Sequence, residues 1–368
     1  MSAPVAVILT SAVGLGVYIP ALLIQGRLRQ QGLVVRCEVL EDYYTASRQQ
    51  SHIAHGEAHH ADFALAQLAH RMARDVQGCL DGERLQTLLA DWARQGCRHF
   101  MVWSGFWLPI LARYQTQTGW ALEIDHCRID AEMSASFRVH ADLAAQGREI
   151  WLWHGDAGRL VYEIPVGSAP PLPWQQRQAR LTVHGGGWGI GTYQARAEAL
   201  AQAGFALDRV IHTEAEATVA RPGDACFLLQ PGWRAWHRDA AGELQFPAMG
   251  EVTASRETLY LRHAQYHVLY DVIRRNQAIV SKPGGCTLID SLASATPVVL
   301  LEPYGYAEAR NADIWLQLGF GIRYEDWRDS GFDPALLEQL HHNLLAHPGR
   351  GTDYPQAYAA RLLQEQAA

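Results

Sequence analysis

The stretch AIVSKPGGCTLIDSL, Ala278 to Leu292, decides how the rest of the chain is read. Ala278 to Val280 are apolar and short, as a buried strand of a parallel sheet should be. Gly284 and Gly285 let the backbone take angles that other residues avoid and let a ligand approach closely. From Thr287 onward the chain can be helical, with Asp290 in the first turn. A helix start behind a glycine loop is an anion site, because free N–H groups and the helix dipole point at the ligand. Lys282 strengthens it. Among 31 Lys+Arg residues it is the only lysine. A coding bias towards Arg accounts for the others, and the one position that stayed Lys suggests that a compact ammonium is wanted there.

Working outward, the same strand–glycine turn–helix pattern recurs. Val5 to Leu9 reads as a first strand, Thr10 to Ile19 as a turn holding Gly14 and Gly16, Pro20 to Gln31 as a helix, and Leu33 to Val39 as a second strand. Such a βαβ unit sets its glycine loop at the carboxyl end of a strand, where open α/β sheets bind ligands. Further strands are expected at His99 to Trp103, at Trp120 to Asp125 with His126 following, and at Ile150 to Trp153. Helices are expected over Leu85 to Ala93 and Pro109 to Thr116. Four prolines between Pro165 and Pro173 read as a linker. Beyond it, Leu181 to His184 is a strand, Gly185 to Gly191 a glycine-rich loop and Tyr193 to Ala203 a helix. Strands follow at Arg209 to His212, Ala225 to Leu229, Ala278 to Ser281 and Val298 to Leu301. Pro334 to Ala346 and Tyr354 to Gln366 close the chain as helices. This alternation predicts α/β architecture with two doubly wound domains and a ligand cleft between them.

The totals agree. At 368 residues the chain has room for about two domains, and 48% hydrophobic with 19% charged content suits large buried cores. A net charge of -7 argues against nucleic acid and weakens, without excluding, a basic surface for anionic lipid. The six cysteines show neither CxxC nor zinc spacing, which reads as reduced thiols in the cytoplasm. The N-terminus lacks the charged region of a signal peptide and the apolar length of a membrane span.

Ala46 to Gln77 is polar, helical in composition and carries His52, His55, His59, His60 and His70. His52, His55 and His59 share a helical face, but metal binding would need ligands converging from a fixed frame. A helix lining a cleft, or simply solvated, is the plainer reading, and no metal is expected. Trp103, Phe106, Trp107 and Trp120 read more simply as core than as a ligand platform.

At this point the sequence resembles a family. Lys282-Pro283-Gly284-Gly285-Cys286-Thr287-Leu288-Ile289-Asp290, then Pro297 to Pro303, then Glu308 with Asn311, then Gly319-Phe320-Gly321, is similar to the C-terminal signature of GT-B nucleotide-sugar glycosyltransferases. Diacylglycerol glycosyltransferases and the peptidoglycan N-acetylglucosaminyltransferase resemble it most. Gly185 to Gly191 resembles the glycine loop opening the second domain in the lipid enzymes, and Gly14 to Pro20 the first-domain loop. The resemblance is strong over about 180 to 325 and slight over 40 to 165, the half that would choose the acceptor.

The resemblance implies GT-B architecture: 1–164 as acceptor-binding Rossmann-like domain, 165–178 as linker, 179–350 as nucleotide-sugar domain, and 351–368 as a helix returning to the first domain. It implies a metal-independent, inverting transfer from a UDP-sugar, or else a dTDP- or GDP-sugar, to a small-molecule acceptor, with no cofactor beyond the donor. Gly284, Gly285, Cys286 and Thr287 would cradle the diphosphate, with Gly16, Gly186 and Gly187 beside it. Asp290, where relatives usually have Glu, would hold the ribose. Glu308 and Asn311 would contact the sugar or its phosphate side, and Lys282 would stabilise the departing diphosphate. Relatives carry a basic His three residues before the first-loop proline, and here that position is Val17. Asp125 or His126 then becomes the candidate general base, with capping of the following helix as the alternative for Asp125. The histidine-rich helix reaching across, or an acceptor already anionic, would also meet the need. A lipid acceptor at a membrane surface, a catalytically silent nucleotide-sugar-binding subunit and an epimerase are the rival functions.

Overall fold

The computed structural model describes residues 5–154, 159–219, 221–253, 255, 257–347 and 351–367. Two sheets organise it. In the first, β1 (Val5–Thr10), β2 (Val34–Val39), β3 (His99–Val102), β4 (Glu123–Arg128) and β5 (Arg148–Trp151) lie in the order β2-β1-β3-β4-β5. All pairs are parallel. In the second, β6 (Gln178–Val183), β7 (Ala206–Ile211), β8 (Ala225–Leu229), β9 (Met249–Glu251), β10 (Asn276–Ser281), β11 (Val298–Leu300) and β12 (Gly321–Arg323) lie in the order β9-β8-β7-β6-β10-β11-β12. Only β9 runs antiparallel. The order reverses between β6 and β10, which pair in register with Ala278 opposite Leu181 and Val280 opposite Val183. The loops leaving these two strands are therefore neighbours, at the place where an open α/β sheet gathers ligand groups.

Helices follow the strands. In the first lobe α1 (Tyr18–Gln30) follows β1, and α2 (Ala46–Ala61) and α3 (Phe63–Arg71) follow β2. Asp62 separates the last two, accepting a hydrogen bond from Leu65 N at 3.1 Å as an N-cap. In the second lobe α4 (Gly285–Ser294) follows β10 and α5 (Tyr306–Gln317) follows β11. Residues 165–173 carry no helix or strand. The final helix, α6 (Tyr354–Ala367), buries Tyr354, Tyr358, Ala359 and Leu362 in a core shared with α1. Each of its large apolar side chains contributes roughly 2 kcal/mol by leaving water. The expected boundary at 350 lies outside the described residues.

Two segments depart from the sequence reading. The fourth strand covers Glu123–Arg128, not Trp120 to Asp125. Trp120 precedes it, with the Arg98 guanidinium 4.7 Å from its ring centre. Asp125 and His126 are thus mid-strand residues. The glycine-loop helix starts at Gly285 rather than Thr287, so Asp290 sits in its second turn. Trp103 and Trp107 belong to the core, and the Trp107 indole N–H donates to Thr10 O at 2.7 Å. Among the described residues no helix is long and apolar enough to cross a membrane.

Candidate active site

A cavity of about 280 Å³ lies between the carboxyl ends of the two sheets. The first lobe supplies the loop after β1. Buried Glu41 fixes this loop by accepting from Ser11 Oγ at 2.7 Å and Ala12 N at 2.6 Å. Thr10 Oγ1 donates to Val17 O at 2.8 Å. Gly14, Gly16 and Val17 then face the cavity, joined by Asp130 beyond β4 and His70 of α3.

From the second lobe come the two neighbouring loops. In the one after β6, Gly186 N donates to His184 Nδ1 at 3.1 Å. Burial pushes the His184 imidazole down to about 3, with nearby Lys282 acting in the same sense, so it stays a neutral acceptor. In the other, Lys282, Gly284, Gly285, Cys286 and Thr287 border the cavity, and Asp290 follows on α4. No side chain caps α4, so the N–H groups of its first turn are available to a ligand. Two glycines make the lobes meet. A Cβ at Gly285 would stand 2.7 Å from Ile129 O, and one at Gly187 would stand 2.6 Å from Leu15 N. No side chain fits at either contact.

The charges at one end of the cavity form one group. Lys282 Nζ is paired with Glu308 Oε1 and lies 5.8 Å from the Tyr304 ring centre. Glu308 Oε2 accepts from Tyr304 N at 2.7 Å, which holds the start of α5. Asp130 faces this pair. Burial raises its carboxyl to about 6; the Asn311 hydrogen bond and Lys282 oppose that rise, while Glu308 adds to it.

Gly16, Gly186, Gly187, Lys282, Gly284, Gly285, Cys286, Thr287, Asp290 and Glu308 thus line one cavity. Three other candidates do not. Asn311 is fully buried and uses its whole amide elsewhere. Its Oδ1 accepts from Ala131 N at 2.8 Å and Trp153 Nε1 at 3.1 Å, and its Nδ2 donates to Asp130 Oδ1 at 2.8 Å and Pro283 O at 2.9 Å. It joins the lobes and has no hydrogen-bonding capacity left for a sugar. Asp125 is 2% exposed and accepts from Arg148 at 2.7 Å, Tyr354 at 2.9 Å and Arg361 at 2.6 Å, fastening α6 to the sheet. His126 has no exposed surface and leans on Glu149 at 3.2 Å, a carboxylate also held by Arg128. Neither reaches the cavity, because the strand continues past both.

Among the histidines of α2 and α3, His59 packs on Trp188 and stacks with His55, while the others turn to different partners. His52 packs between Trp188 and Trp236. His60 bonds Gly189 O at 2.9 Å through Nδ1 and lies 3.3 Å from Glu216, whose carboxylate raises its pKa. His70 packs against Tyr304 at a tilt, with ring centres 4.7 Å apart. Among the described residues no three His, Cys, Asp or Glu side chains are grouped to hold a metal ion.

Sequence reasoning missed Asp130 and His267, the latter bonded to Asp290 at 3.0 Å, and met His70 and Tyr304 only within longer runs, with no role of their own. Asp130 had a usable signal, as the first carboxylate beyond β4. The strand hides it, since Glu123, Asp125, His126 and Arg128 leave no apolar periodicity.

No protein-family model matches the sequence, and no curated protein matches it. Solved structures do match in shape. MurG of Acinetobacter baumannii superposes with a TM-score of 0.54 at 12% identity, over 98% of this chain and 100% of that one. UGT89C1 of Arabidopsis thaliana, complexed with quercetin, gives 0.56 at 10% identity, over 98% and 100%. The Streptomyces sp. SF2575 glycosyltransferase SsfS6, complexed with thymidine diphosphate, gives 0.53 at 12% identity, over 99% and 100%. With the two sheets and the cavity between them, these likenesses establish the architecture: the chain has the GT-B fold of nucleotide-sugar glycosyltransferases, with two Rossmann-like lobes.

Proposed function

We propose that this protein is an inverting glycosyltransferase that moves a sugar from a nucleoside diphosphate, UDP foremost, to a hydroxyl of a small molecule. One observation carries the reading. An uncapped helix start with the chain's single lysine, from one sheet, faces a carboxylate raised towards neutrality, Asp130, from the other. Bound thymidine diphosphate in one structural neighbour supports a nucleoside diphosphate donor, whatever its pentose, and quercetin in another supports a small-molecule acceptor.

The diphosphate would lie over the first turn of α4, displacing Glu308 from Lys282. The acceptor oxygen attacks the anomeric carbon from the face opposite the diphosphate. As the new C–O bond forms, the bond to the diphosphate oxygen breaks and its electron pair leaves with that group. Lys282 and the α4 N–H groups take up the developing charge. The acceptor proton passes to the Asp130 carboxylate, which is ionised above about pH 6. Asp130 thereby answers the absence of a base at Val17, the feature that favoured a silent subunit. This reading requires no metal.

A second reading concerns the acceptor. Leu65 and Leu68 on α3, the helix that brings His70 to the cavity, and Met72 just past its end form an apolar stripe, 43%, 50% and 55% exposed. That face favours an amphiphilic acceptor presented at a lipid surface, against which the net charge of -7 weighs.

A thermal-shift screen across nucleotide sugars tests the donor assignment, since a ligand that binds only the native state raises its stability. UDP-sugars should raise the melting temperature and release UDP slowly even without an acceptor. No shift and no release with any nucleoside diphosphate sugar would contradict the proposal.

A further inference from the structure

We infer that His267 and Asp290 together form a clamp for a vicinal diol, and that this clamp makes the nucleotide site select ribonucleoside over 2′-deoxyribonucleoside diphosphates. The inference rests on the reading of the cavity as a nucleotide-sugar site.

His267 stands just before the helix Leu269–Arg275, and Asp290 stands on α4. Their side chains meet through Nε2 and Oδ2 at 3.0 Å, and both residues line the cavity. They are 5% and 3% exposed. The other polar atom of each, His267 Nδ1 and Asp290 Oδ1, is buried without a hydrogen-bond partner. Buried polar atoms are rarely left so, and two together on a cavity wall point to a ligand that supplies what is missing.

The hydrogen-bond network assigns what that is. An ionised carboxylate only accepts, so Nε2 carries the hydrogen and a neutral imidazole presents Nδ1 as an acceptor. The pair therefore offers two acceptors and no donor. A pyrimidine edge is a poor match, since its single N–H is flanked by carbonyl acceptors. The 2′ and 3′ hydroxyls of a ribose supply two adjacent O–H donors, one for Nδ1 and one for Oδ1. A longer carboxylate could take both hydroxyls alone. Asp290 is one methylene shorter and has Oδ2 engaged, and His267 restores the second acceptor.

A 2′-deoxyribose leaves one buried acceptor unpaired, which costs on the order of tenfold in affinity or more. The test is calorimetric titration of the full-length protein with UDP and with 2′-deoxy-UDP. The wild type should bind UDP tighter by at least that factor. His267→Ala should bring the two affinities close together. His267→Gln, whose amide can donate to Asp290 and accept from ribose, should restore the difference. Equal wild-type affinities would overturn the clamp while leaving the donor site standing. Unchanged discrimination in His267→Ala would remove His267 from it. Failure of both nucleotides to bind would overturn the donor reading and the clamp with it.

Discussion

Asn311 Nδ2, on the second lobe, donates to Asp130 Oδ1, on the first, at 2.8 Å. The same amide bonds Ala131 N and the Trp153 indole across the lobe boundary and Pro283 O within its own lobe. A residue expected to touch the sugar instead fixes Asp130, the proposed base. Asn311→Leu should cost about 2–3 kcal/mol in chemical denaturation, because it orphans several buried partners. It should also lower turnover through misplacement of Asp130. Unaltered stability with changed sugar preference would return Asn311 to the donor.

Lys282 gives a different signature. A cation that acts on the leaving diphosphate matters more in the transition state than in the ground state. Lys282→Ala should therefore reduce kcat by on the order of a hundredfold or more while weakening UDP-sugar binding less. Steady-state kinetics beside equilibrium binding separate the two effects. A loss confined to binding would make Lys282 an anchor only.

Asp125 should behave as a fastener. It is bonded to Arg148, Tyr354 and Arg361, and its removal leaves buried partners uncompensated. Asp125→Ala should cost about 3 kcal/mol of stability and loosen α6, with activity per folded molecule retained. Abolished transfer in a fully stable Asp125→Asn protein would reinstate it as the base.

The strands and the glycine loops were legible because buried parallel strands and glycine pairs that admit a close neighbour leave composition marks that need no tertiary information. Ala278 to Val280 and the Gly284-Gly285 pair are examples. The Lys282-to-Asp290 run could be placed for the same reason and Glu308 through the family resemblance alone, and the cavity gathers them. The signal at Asp130 was masked, since β4 is built from ionisable residues whose partners lie far off in sequence, among them Arg148 and Arg361. Asn311 was misread because its four partners come from three separate segments, two of them in the other lobe. His267 is invisible without Asp290 beside it.

The central claim, sugar transfer with Asp130 as the base, is tested most directly by the pH dependence of UDP release from a UDP-sugar. With burial raising the Asp130 carboxyl to about 6, the active ionised form is lost as pH falls. In the wild type, kcat/KM should drop roughly tenfold per pH unit below that value and level off above it. Asp130→Asn should remove this limb, lower the plateau by on the order of a hundredfold or more and keep UDP binding. A wild-type profile flat through pH 6, or an Asp130→Asn protein with full activity, would contradict the account.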